Sequence, residues 1–151
     1  MNAGQALRVS FAAAALWCMA APAHAGGYQQ VVDGVAIYFG IVPAEMVRGH
    51  PREHPEGEMH GGVPAGESHI MVALFDAKTG ERITRAEVTA RVSGGHATSG
   101  EKRLEPMVIA GSQTYGNYFP MTGIGPYQIE LNVRVFGKTK PVRARFEWSR
   151  S

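Results

Sequence analysis

Cysteine is nearly absent from this chain: one, Cys18, in 151 residues. Cys18 also falls within a stretch that reads as a removable leader, so the remainder has no thiol. That excludes a disulfide framework, a thiolate metal site and a cysteine nucleophile. A charge surplus is missing too, with 15 Lys and Arg against 13 Asp and Glu. Such a balance, with no basic run, excludes the electrostatic footprint of a nucleic-acid binder. The chain lacks an apolar run of about twenty residues, the length a bilayer-spanning helix needs. It has no G-x-S-x-G, phosphate loop or dinucleotide fingerprint, and no segment with a 3.6-residue apolar period. Length allows a single domain. Plentiful Gly and Pro, 19 and 9, suit a turn-rich β protein.

The N-terminus carries an export signature. Arg8 is the only charged side chain before an apolar run at residues 9–21, VSFAAAALWCMAA. That run has the length of a signal h-region. Ala23-His24-Ala25 supplies a small-x-small cleavage site, which predicts a signal peptide over 1–25 and a mature domain over 26–151. Cleavage after Ala23 also fits, and would leave His24 as an N-terminal residue able to offer amine and imidazole to one copper ion. Trp17 before Cys18 is too large for a lipobox, so no lipid anchor is expected.

The mature region alternates with period 2, the mark of strands with one buried and one wet face. Val35, Ile37, Phe39 and Ile41 share one face of a first strand. Ile70, Val72 and Leu74 share one face of a second, with His69, Met71, Ala73 and Phe75 opposite. Residues 76–80, DAKTG, form a turn. Val88, Ala90 and Val92 alternate with Glu87, Thr89 and Arg91. Pro106 interrupts a weaker stretch over 103–109, which predicts an edge strand. A further segment at 114–121 holds Tyr115, Tyr118 and Phe119. Tyr127, Ile129, Leu131, Val133 and Val135 make the next face, and Val142, Ala144, Phe146 and Trp148 the last. About seven antiparallel strands joined by turns predict an all-β immunoglobulin-like sandwich. Residues 43–68 lack strand pattern, and a loop of that length in a compact domain is usually functional or disordered.

That loop concentrates the chemistry. His50, His54, Met59 and His60 lie in it, and His69 and Met71 follow at the entry to the next strand. Imidazole and thioether together suit copper: sulfur favours Cu(I), and imidazole takes either oxidation state. Glu53, Glu56 and Glu58 add oxygen ligands or acceptors for the ring N–H groups. His69 and Met71, two apart on a strand, point the same way. The alternative is a hydrophilic loop whose histidines are solvated.

Other constellations carry less. Residues 50–54 spell H-x-x-E-H, the inverted zinc-protease motif, but Pro51, Pro55 and Gly57 deny it a helix. Ser68 beside His69 is adjacency and not a triad. His96, in a Gly-rich loop, reads as solvated. Met107 and Met121 read as core filling, with extension of a methionine-lined site as the alternative, and Met46 is equally ambiguous. The aromatics at 115–119 read as core on one side of a strand, with a recognition surface as the alternative.

The strand from Ile70, the 76–80 turn, Ile83, the Ala86-Glu87-Val88 strand start and the G-x-G-P-Y-x-I stretch at 123–129 resemble the YtkA-like and FixH-like families. These are bacterial extracytoplasmic β-sandwiches, and the resemblance covers about 68–148. It implies metal handling or assembly of respiratory oxidases, and a periplasmic location. Periplasmic copper-resistance proteins are sandwiches with His and Met ligands as well, and this chain lacks their N-terminal His unless cleavage falls after Ala23. The reading from sequence is therefore a periplasmic, non-enzymatic carrier, buffer or accessory protein for a metal ion, copper in first place. Its metal ligands are expected among His50, His54, Met59, His60, His69 and Met71. The alternative is an interaction module for a membrane or exported protein partner, working through the loop and the 115–119 aromatics.

Overall fold

The computed structural model describes residues 27–43, 66–95 and 97–150. They form nine antiparallel strands: β1 (Gln29–Val32), β2 (Val35–Pro43), β3 (Glu67–Asp76), β4 (Ala86–Gly94), β5 (Ala97–Thr98), β6 (Lys102–Ile109), β7 (Ser112–Pro120), β8 (Tyr127–Val135) and β9 (Val142–Trp148). The path runs β1-β2-β3-β7-β6-β4-β8-β9, with the two-residue β5 beside β4. Set β1 and β5 aside and the order β2-β3-β7-β6 faces β4-β8-β9. That is the arrangement of a constant-type immunoglobulin sandwich, as the alternation predicted. Gln30 of β1 donates to the Arg145 carbonyl of β9 and so draws the two ends of the path together.

The alternating apolar residues account for the core. Ile37, Phe39, Ile70, Val72 and Leu74 of one layer meet Val88, Val92, Ile129, Leu131, Val133 and Phe146 of the other, all buried. Phe39 and Phe146 stack across the layers with ring centroids 4.7 Å apart. The Tyr127 hydroxyl donates to the Thr122 carbonyl five residues upstream. This is the tyrosine corner of sandwich folds, at the start of the penultimate strand. The glycines around it follow: a Cβ on Gly95 or Gly125, both at positive φ, would lie 2.9 and 3.0 Å from the Tyr127 ring. Asp76 closes the β3 turn by accepting from the Lys78 and Thr79 amides. Those two bonds hold its carboxyl below the usual carboxylate range.

Two boundaries differ from the sequence reading. Pairing of Pro43 with Ser68 extends β2 and β3 into the stretch read as loop, so the connection starts after Pro43 and returns at Gly66. Strand β6 lies inside the path and not at an edge. It pairs with β4 over Lys102–Leu104 and with β7 over Glu105–Ile109. Pro106 falls in the second half, where the β4 side is unpaired, so its missing N–H leaves no gap in the ladder.

Candidate functional site

Strand β3 has two faces with different company. Ile70, Val72 and Leu74 enter the apolar core, while His69, Met71, Ala73 and Phe75 face the other way. Register extends this outer face. Val42 and Gly40 of β2 stand beside His69 and Met71. On the other flank stand Tyr118 and Gly116 of β7. Met107 of β6, opposite Thr114 and two residues along from the position that faces Gly116, lies on the same face.

At its Phe75 end this face is partly open, with Tyr38 edge-on to the ring at 5.3 Å and Arg82 over it at 4.5 Å. The His69 end is closed. His69 is 0% exposed and Met107 and Tyr118 are each 2% exposed, yet none of the three belongs to the apolar core cluster. His69 stacks on Tyr118 with ring centroids 4.6 Å apart and planes 24° from parallel. Its Nε2 and the Met107 Sδ converge on one spot. They would lie 2.7 and 2.6 Å from a Cβ placed on Gly116. The two donors are therefore no more than about 5.3 Å apart, near the reach of one ion with bonds of about 2.0–2.3 Å to each.

The predicted ligands divide accordingly. His69 and Met71 share the outer face of β3, as their spacing required. Met71 is partly exposed, with its Cε 3.8 Å from the Cβ position of Gly40. His50, His54, Met59 and His60 lie outside the described residues, as do Met46, His96, the H-x-x-E-H stretch and the predicted signal peptide. Among the described residues, no three His, Cys, Asp or Glu side chains gather to hold a metal ion. Glu105, opposite Gly116 in register, is exposed and 3.9 Å from Arg103. Ser68 points into the core, away from His69, as successive strand residues must.

Met107 is the residue the sequence reading placed with the wrong company. It is buried, but outside the apolar cluster and against His69. Met121, by contrast, is core. The aromatics at 115–119 do not make an accessible recognition surface: Tyr115 and Phe119 are core, and Tyr118 is buried against His69. Burial raises the Tyr115 phenol above its ordinary value. A groove of about 480 Å³ lies on the far layer, lined by Thr89, Arg91, Glu101, Glu130, Asn132 and Arg143 among others. Thr89 bonds Glu101 and Arg145 bonds Glu130 along it, so much of its polarity is spent internally.

No protein-family model matches the chain, and no curated sequence matches it, so neither comparison confirms the YtkA-like and FixH-like naming. Solved structures do match. One is a copper-bound variant of FetP from uropathogenic Escherichia coli strain F11, with a TM-score of 0.60 and 15% identity, covering 83% of this chain and 95% of that one. The same FetP, as isolated after recombinant expression in the E. coli periplasm, gives 0.60 and 17%, covering 82% and 92%. A DUF4426 family protein from Pseudomonas aeruginosa PAO1 gives 0.61 and 15%, covering 82% and 94%. At these identities the likeness is one of fold.

Proposed function

We propose that this chain is an exported, non-enzymatic metal-binding protein, with copper as the favoured ion, acting as a periplasmic carrier, buffer or accessory factor. One observation carries the reading: a buried imidazole nitrogen and a buried thioether sulfur meet at the same point, on the sheet face turned away from the apolar core. A core methionine needs no histidine beside it, and sulfur with imidazole is the donor pair that selects copper over harder ions. A copper-bound neighbour of the same fold supports the choice of metal.

In this reading His69 and Met107 supply donors from the rigid sheet, with Met71 next along the same face. The segment from Pro43 to Gly66 leaves and returns at the His69 end of β2 and β3, because Pro43 pairs with Ser68. It carries His50, His54, Met59 and His60, which complete the coordination in this proposal. Bound metal would then tie segment to sheet, and a partner that opens the segment would release it.

The test is the double variant H60A/H69A. Tight copper binding should disappear while the far-UV circular dichroism stays that of the native sandwich. Wild-type affinity in the double variant would contradict the ligand assignment.

A further inference from the structure

We infer that Gly116 is a positioning residue of this metal site: its missing side chain is the space in which the His69 and Met107 donors approach one another. The inference rests on the metal-binding reading above and adds a determinant that neither donor supplies.

Gly116 sits mid-strand in β7, between Tyr115 and Asn117, where a glycine weakens a sheet and calls for a reason. Its backbone does not provide one. It is not among the glycines at positive φ, so its backbone lies outside the left-handed region that favours glycine. The reason is spatial. A Cβ there would stand 2.6 Å from Met107 Sδ and 2.7 Å from His69 Nε2. Both distances are shorter than van der Waals contact, and both atoms are the candidate donors themselves. The third neighbour, the Ile70 carbonyl oxygen, is at 3.1 Å, tight but tolerable with a small shift.

Gly40 is the natural comparison on the same face. It lies across from Met71 in β2, and a Cβ there meets only Met71 Cε at 3.8 Å, an ordinary contact. Thus two glycines of one sheet face differ in what they accommodate. Gly40 could carry a methyl without disturbing either donor, whereas Gly116 could not. A methyl on Gly116 would occupy the point on which nitrogen and sulfur converge and drive them apart, so one ion could no longer reach both.

The experiment uses the full mature protein and Cu(I), with Ag(I) as a redox-inert probe, and reads metal affinity together with the ¹³Cε methyl resonance of Met107. In the wild type that resonance should shift at one metal equivalent. In G116A affinity should fall about 10–100-fold, the range of losses when groups that orient ligands are removed, and the Met107 methyl should no longer respond. G40A should bind like the wild type. G116A that binds with wild-type affinity and still shifts Met107 would overturn the inference and leave the metal reading standing. A wild type that takes no metal would overturn the metal reading itself. Should G116A fail to fold, G116A/M107A decides: recovery of folding means the methyl and the thioether compete for one space, as inferred. If the double variant also fails, G116A/M107A/H69A decides: recovery assigns the competition to the imidazole, as inferred, whereas failure with both donor contacts gone means the backbone at Ile70 rejects the methyl, which overturns the positioning role.

Discussion

Ser68 and His69 are adjacent and equally buried, but they serve opposite sides of one sheet. The period-2 rule predicted that separation from sequence alone, and it put His69 and Met71 together correctly. The same rule could have placed Met107. Leu104 and Met107 are three residues apart, so if one faces the core the other cannot. Leu104 is in the apolar cluster and Met107 is not. What the pattern could not supply was the register that pairs His69 with Tyr118 and brings Gly116 and Met107, offset along the sheet, within reach of its ring, since that depends on pairing across three strands. M107L keeps the volume and removes the sulfur's ligand chemistry. We expect it to cost under about 1.5 kcal/mol of stability while copper affinity drops, as read by urea denaturation and competitive chelator titration. Asp76 gives a second prediction at this scale. Its folded pKa lies below the ordinary 3.8 because the Thr79 and Lys78 amides favour the carboxylate. The stabilisation is therefore complete above about pH 4 and is lost as pH falls through the depressed value. D76A should lower the melting temperature at pH 7, with the difference from wild type shrinking towards pH 2.

Among the strands, regular alternation was the legible part. β2, β3, β4, β8 and β9 all follow from it, with their core faces. β1 and β5 are four and two residues long, too short for any period to register. The edges of the 43–68 loop were misplaced because Pro43, Glu67 and Ser68 carry no strand pattern. Their pairing is imposed by the ladder between β2 and β3. Pro106 was read as the mark of an edge strand, but a strand inside the path that changes partners accommodates a proline as well as an edge does. The tyrosine corner ties the loop before β8 to the strand. Y127F removes the bond to the Thr122 carbonyl and should cost about 0.5–1.5 kcal/mol, measured by urea unfolding, with no effect on metal content. F119A takes a large side chain out of the core at β7 and should cost about 3–5 kcal/mol.

For the molecule as a whole, the sandwich has an apolar core, and the candidate donors His69, Met71 and Met107 lie on the sheet face turned away from it. That division explains why composition alone was silent about function: 6 histidines and 7 methionines are unremarkable numbers until register groups some of them. In the proposed reading, the core residues and the candidate donors lie on opposite sides of β3, so substitutions in the core and at the donors act on different faces of the sheet. Acid should release metal, because protonated imidazole is no ligand. The most direct test is native mass spectrometry of the untagged protein, exported by a bacterial host and purified without chelator. The account predicts one copper per chain, lost on acidification. A spectrum that stays metal-free after addition of Cu(I) and of Cu(II) would contradict it.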